Sequence, residues 1–153
     1  MLPKLIVKDN CKNINKNENE YTLQFDGCSK GNPGLSGAGA VLYNYDKEIW
    51  SKSLFVGEKN TNNEAEYTGL IIGLEEAVNK NIKCLHVEGD SMLVIKQMKG
   101  EYKVKSESLA KLYNKAKDHE KSIDFVCYKH IYRENNSRAD ELSNLPIIKM
   151  CNI

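Results

Sequence analysis

In the stretch Tyr21-Thr22-Leu23-Gln24-Phe25-Asp26-Gly27-Cys28-Ser29-Lys30-Gly31-Asn32-Pro33-Gly34, an alternating strand runs into a glycine-rich turn with an aspartate at the join. Tyr21, Leu23 and Phe25 alternate with Thr22, Gln24 and Asp26, the period-2 signature of a strand with one buried face. Strand positions disfavour aspartate. Asp26, delivered by the strand end to the backbone amides of the turn, is therefore a candidate functional group. Three later acids recur in similarly constrained places: Glu66 in Thr61-Asn62-Asn63-Glu64-Ala65-Glu66-Tyr67, Asp90 in Glu88-Gly89-Asp90-Ser91, and Asp140 in Asn136-Ser137-Arg138-Ala139-Asp140. Four carboxylates brought together by folding would bind Mg²⁺.

Outward from the first strand, the hydrophobic period changes several times. Residues 37–45 and 49–56 read as a second and third strand, hairpinned through Asn44-Tyr45-Asp46-Lys47. From Asn62 to Lys80 the pattern is helical, with Leu70, Ile71, Leu74, Ala77 and Val78 recurring at three- and four-residue intervals. Residues 83–88 form a fourth strand, Asp90 opens a helix to about Met98, and residues 106–120 form another helix with Leu109, Leu112, Tyr113 and Ala116 on one face. Residues 122–129 are the fifth strand. A polar loop, 130–136, leads to a terminal helix that Pro146 is expected to stop. This order predicts an α/β fold: a five-stranded mixed sheet, an antiparallel meander of strands 1–3 followed by parallel strands 4 and 5, flanked by helices. Residues 8–20 are almost wholly polar and aperiodic. The expected division is a flexible leader at 1–19, a folded domain at 20–147 and a short tail at 148–153.

With 153 residues, 41% of them hydrophobic, the chain suits one domain with a real core. A net charge of +1 excludes a polycation, so any grip on nucleic acid must be local. Lys96, Lys99, Lys103 and Lys105 are the candidate patch. The five cysteines, at 11, 28, 84, 127 and 151, are odd in number and form no C-x-x-C pair, so neither a disulfide framework nor a zinc knuckle is expected. No run approaches the roughly 20 apolar residues of a membrane span, and the N-terminus lacks a signal-peptide layout. The expectation is a soluble intracellular protein of the cytoplasm, nucleoid or nucleus, monomeric and without a membrane partner.

Glu64 and Glu66 lie in the first turn of one helix but face different ways. Thr61-x-x-Glu64 matches a capping box, which gives Glu64 a structural task. Glu66 aligns instead with Leu70, Gly73 and Ala77 on the inward stripe, where an unpaired charge is costly. A metal ion or an ordinary ion pair would relieve it. Asp90, between a strand and a helix, reads alone as an N-cap. Asp140 lies three residues after Ser137 and could complete another capping box, and its neighbour Glu141 reads as a solvated charge. One metal site accounts for all four acids together, whereas the structural readings must each hold independently.

These blocks, over roughly residues 20–145, resemble a type 1 ribonuclease H, an enzyme that cuts the RNA strand of RNA/DNA hybrids. The resemblance rests on Asp26-Gly27 with Gly31-Asn32-Pro33-Gly34, Thr61-Asn62-Asn63 with Glu66, Gly89-Asp90-Ser91, and Asn136 with Asp140. It implies that Asp26, Glu66, Asp90 and Asp140 are catalytic acids holding two Mg²⁺ ions, with Mn²⁺ as a substitute. It further implies in-line displacement at phosphorus, with 5′-phosphate and 3′-hydroxyl products. Substrate contacts are expected from Gly27, Cys28, Ser29, Lys30, Gly31, Asn32, Asn62, Asn63 and Asn136, the 2′-hydroxyl being what marks an RNA strand. Asn32, Asn62 and Asn63 also read as turn or cap residues.

Some features depart from bacterial members of the family. The link Met98-Lys99-Gly100-Glu101-Tyr102-Lys103-Val104 is too short for their extra basic helix, and Met92 stands where many carry a polar residue. His130-Ile131-Tyr132-Arg133-Glu134-Asn135-Asn136 is more similar to archaeal and plant-type members. Either Arg133 or His130 would assist the leaving group, with Arg133 favoured, and His86 and His119 read as structural or surface histidines. The expected partner is an RNA/DNA hybrid, with double-stranded RNA as a further substrate. A non-catalytic hybrid-binding module and a DNA-directed integrase- or exonuclease-like relative are the alternatives. The four acids oppose the first; the Gly31–Gly34 and Thr61–Asn63 blocks oppose the second.

Overall fold

Leu23 and Phe25 are fully buried while Thr22 and Gln24 between them are not, so β1 (Tyr21–Lys30) has the half-buried periodicity that its sequence predicts. The computed structural model describes residues 20–151; the expected leader, 1–19, and residues 152–153 lie outside the described residues. The remaining elements are β2 (Gly34–Asn44), β3 (Lys47–Asn60), α1 (Asn62–Asn79), β4 (Cys84–Gly89), α2 (Met92–Met98), α3 (Glu107–Glu120), β5 (Phe125–His130) and α4 (Ser137–Cys151), with a short 3-10 turn at Arg133–Asn135 before α4.

The sheet order is β3-β2-β1-β4-β5. β1 pairs antiparallel with β2 and β2 antiparallel with β3, while β4 pairs parallel with both β1 and β5. The predicted meander and parallel strands are therefore both present. Helices α1, α2 and α3 cover one face, over a core that includes Leu23, Phe25, Leu42, Tyr67, Leu70, Leu74, Leu85, Val87, Ile95 and Met98. On the other face Ala139 and Leu142 of α4 pack against Val41 of β2, and Tyr43 and Leu145 close the cluster.

Two boundaries differ from the sequence expectation in ways that matter for the site. β1 does not end at Asp26: antiparallel pairing with β2 continues from Asp26↔Gly39 to Lys30↔Leu35. The parallel ladder with β4 is what stops there, with Phe25↔Gly89 its last pair. Asp26 thus stands where one neighbouring strand ends and the other continues. Pro146 does not stop α4, which contains it and runs on to Cys151, so residues 148–151 of the expected tail are helical. Proline removes the N–H that would bond the carbonyl four residues back. That carbonyl belongs to Leu142, and Ser53 Oγ of β3 donates to it at 2.7 Å.

Two glycines set how closely the flanking helices approach. A Cβ on Gly27 would lie 2.2 Å from the backbone of Ala65 and Glu66 at the start of α1. A Cβ on Gly39 would lie 2.6 Å from the Ala139 carbonyl and the Ser143 nitrogen of α4. Bare backbone on neighbouring strands therefore admits α1 from one side and α4 from the other. The cysteine expectation fails at one position: Cys127, buried in β5, is disulfide-bonded.

Candidate metal centre

α1 begins with the expected capping box: Glu64 N donates to Thr61 Oγ1 at 3.2 Å, and Thr61 N to Glu64 Oε1 at 2.9 Å. With that frame fixed, Glu66 turns inward toward β1 and is only 8% exposed. Asp26 is 4% exposed. Asp90 follows β4 directly, but it is not the cap of α2; Ser91 is, its Oγ accepting from Val94 N at 3.3 Å. The Asp90 carboxylate is therefore not committed to a helix end. Ligand oxygens of Asp26, Glu66 and Asp90 all lie within 4.8 Å of one another.

Asp140 stands outside that tight group, one helical turn into α4, with its side chain 33% exposed. No capping box forms there: the hydroxyl of Ser137 donates instead to the Glu134 carbonyl at 3.1 Å. Asp140 Oδ1 lies 3.8 Å from Arg133 Nη2 and 3.4 Å from Asn144 Nδ2. All four acids line one open cleft of about 300 Å³, together with Gly27, Cys28, Asn62, Asn63, Ser91 and Arg133. A larger hollow of about 530 Å³, between Gln24, Tyr43 and Glu88, contains none of the four acids.

The electrostatics of the tight group call for a cation. Burial pushes the Asp26 carboxyl up from 3.8 to about 7, and the charge of Asp90 pushes the same way. Glu66 is raised well above its usual range, first by burial and then by Asp26 beside it. Without a counter-charge the two carboxyls share a proton. Glu66 Oε2 is buried without a hydrogen-bond partner, and no described cationic side chain pairs with Glu66. Oxygen-only, anionic and partly unsatisfied, this donor set fits a hard divalent cation.

The other expected site residues divide between the cleft and its supports. Asn62 Oδ1 accepts from Ser29 N at 2.8 Å, and Asn32 Oδ1 accepts from Asn62 N at 3.0 Å. Ser29 Oγ donates to the carbonyls of Gly31 and Asn60. These bonds rivet the β1–β2 turn to the N-terminus of α1. Lys30, Gly31 and Asn32 are exposed at the turn, and Asn63 faces the cleft.

Asn136 is fully buried; its Nδ2 donates to the Phe25 carbonyl at 3.0 Å. It braces the strand just before Asp26 and is placed as a strut, with no surface left for a substrate. Arg133 lines the cleft with its side chain 77% exposed. His130 Nε2 lies 3.2 Å from the Asp90 carbonyl, and the ring meets Tyr132 edge-on. It is a prop for the backbone of the third acid. Asn144, which contacts both Asp140 and Cys28, was missed by sequence reading because nothing in its local pattern sets it apart.

Beyond the cleft, α2 and α3 are joined by residues 99–106 with no helix between them, as the short link implied. Lys96 sits over the Tyr102 ring at 5.0 Å and Lys99 pairs with Glu101 at 3.7 Å, while Lys103 and Lys105 are exposed. No described helix is long and apolar enough to cross a membrane.

Residues 24–145 match the family model described as reverse transcriptase-like. The chain is 40% identical over 126 residues to a bifunctional protein of Mycobacterium tuberculosis, covering 82% of this chain and 35% of that protein. It thus spans about a third of the length of that curated relative. Among solved structures it is similar to the N-terminal RNase H domain of a Mycobacterium tuberculosis protein, with a TM-score of 0.84 and 36% identity over 88% of this chain and 98% of that one. It is also similar to LC11-RNase H1, solved in complex with an RNA/DNA hybrid, with a TM-score of 0.81 and 35% identity over 86% of this chain and 99% of that one.

Proposed function

The chain belongs to the ribonuclease H family, and from that membership we propose that it hydrolyses the RNA strand of RNA/DNA hybrids in a reaction that requires a divalent metal. The observation that carries this reading is the tight group of Asp26, Glu66 and Asp90, with a buried, unpartnered Glu66 oxygen, at the floor of an open cleft. LC11-RNase H1, which has the same fold, was solved with such a hybrid.

Asp26, Glu66 and Asp90 would hold the metal, and Asp140 at the cleft wall would complete a site for two Mg²⁺ ions, with Mn²⁺ able to substitute. Such ions supply Lewis acidity: a more acidic attacking water and neutralisation of the charge that gathers at phosphorus. The chain's own residues do the rest. The Asp26–Glu66 pair gives up its shared proton on loading, so its buried charge is compensated by the cation and not by water. The β1–β2 turn, riveted through Asn32, Ser29 and Asn62, presents backbone groups beside Cys28 and Lys30 to the sugar of the strand to be cut. Recognition of a 2′-hydroxyl there would restrict cleavage to RNA.

Arg133, exposed and 3.8 Å from Asp140, would meet the leaving oxygen, a role supported by the engagement of His130 with the Asp90 carbonyl. Products with 5′-phosphate and 3′-hydroxyl ends, a monomeric enzyme, and weaker cleavage of double-stranded RNA complete the proposal.

The test is a panel of labelled RNA/DNA hybrid, double-stranded RNA and double-stranded DNA, each with Mg²⁺ or EDTA. Cutting confined to RNA, fastest in the hybrid and absent in EDTA, is expected. An intact hybrid in Mg²⁺, bound but uncut, would overturn the enzymatic reading.

A further inference from the structure

Asp140 differs from the other three acids in how its carboxylate is held. Ligand oxygens of Asp26, Glu66 and Asp90 all lie within 4.8 Å of one another, whereas Asp140 stands at the edge of that group: it reaches the Asp26 carboxyl, and its donors are Arg133 Nη2 at 3.8 Å and Asn144 Nδ2 at 3.4 Å. Arg133 is largely exposed and sits on a short 3-10 turn, so it fixes little. Asn144 is fixed from three sides. It lies one turn after Asp140 on α4, its Nδ2 also donates to the Asp140 carbonyl at 2.8 Å, and its Oδ1 faces the Cys28 thiol of β1 at 3.6 Å. The same thiol reaches the Ser143 carbonyl at 3.3 Å, so one residue of β1 clasps two successive residues of α4.

The Asp140 carbonyl decides which way the amide points. A carbonyl only accepts, so the nitrogen of Asn144 turns toward Asp140 and the oxygen toward β1. The amide then spans from the strand that carries Asp26 to the acid that stands apart. A donor at 3.4 Å is weak enough for the carboxylate to leave and close enough to define where it rests.

We propose that Asn144 is a positioning residue that holds the Asp140 carboxylate at the wall of the cleft, so that Asp140 can join the other three acids when a divalent cation enters. This rests on the metal-centre reading above, and it assigns Asn144 no contact with substrate or metal. Truncating it removes one of the contacts that fix the Asp140 side chain, and ordering a looser side chain at the moment of binding costs affinity.

The experiment titrates Mg²⁺ into the parent, Asn144→Ala, Asp140→Asn and the double variant, reading the Mg²⁺-dependent rise in melting temperature without substrate and the half-maximal Mg²⁺ for hybrid cleavage where activity remains. Asn144→Ala is expected to raise the Mg²⁺ midpoint about three- to tenfold, and to add nothing once Asp140 is asparagine. Asn144→Leu, close in size and without a donor, is expected to give the same shift and serves if the alanine variant does not fold. A midpoint within twofold of the parent, or a shift that persists in the Asp140→Asn background, would overturn the assignment alone. No Mg²⁺ response in the parent would overturn the metal-centre reading, and this assignment with it.

Discussion

Asp26 is a carboxylate that the fold buries against its ionisation. Its carboxyl ionises near 3.8 when unfolded and at about 7 when folded, with burial as the chief cause. Between those values the unfolded state has shed a proton that the folded state keeps, so stability without metal falls as pH rises from about 4 to about 7. Asp26→Asn removes that ionisation. In EDTA at pH 8 it is expected to melt about 5 °C above the parent, with the difference vanishing near pH 4, as differential scanning calorimetry would read. Equal melting profiles across that range would remove the strain from the account. At the cleft wall, Arg133 and His130 separate by kinetics. Arg133→Ala is expected to lower kcat about tenfold or more with little change in melting temperature. His130→Ala should act through stability, costing about 1 kcal/mol for the lost bond to the Asp90 carbonyl.

The site is assembled where three elements end or begin beside a strand that continues: β4 stops at Gly89, α1 starts at Asn62, and α4 starts at Ser137. Their approach depends on missing side chains. Gly27→Ala would drive a methyl into the backbone of Ala65 and Glu66, which can yield only by moving α1. The expected loss is about 2–3 kcal/mol in chemical denaturation, together with weaker Mg²⁺ binding, since Glu66 moves with the helix. The same elements mark what sequence could and could not reveal. Alternation gave β1, the capping box gave the start of α1, and helical spacing turned Glu66 inward; each is a local signal. The end of β1 was misplaced because Gly27 to Gly34 has turn composition, yet β2 continues to pair with it as far as Lys30. Pro146 reads as a stop in sequence because the Ser53 hydroxyl that serves the Leu142 carbonyl is 89 residues away.

Across the whole molecule, near-neutral charge means that affinity for a polyanion must come from a few places. Lys103 and Lys105, exposed on the link between α2 and α3, are two candidates. Replacing both with alanine is expected to raise KM for hybrid several-fold without lowering kcat, and to flatten the salt dependence of binding by about two units of slope if both meet phosphates. The four acids were legible as candidates because each sits in a constrained sequence setting, and folding brings them to one cleft. Their unequal standing was not legible: three offer ligand oxygens within 4.8 Å of one another, while Asp140 stands at the edge and reaches the group through Asp26. Asn136 likewise looked like a substrate contact until its amide proved to be buried against Phe25. The central claim, that the buried acid group is a metal centre, is tested most directly by calorimetric titration of Mg²⁺ into the parent and Asp26→Asn at pH 6.5 in buffers of different ionisation heat. The account predicts binding by the parent with proton release, the Asp26–Glu66 proton being displaced, and no comparable binding by the variant; equal binding by both, or none by the parent, would contradict it.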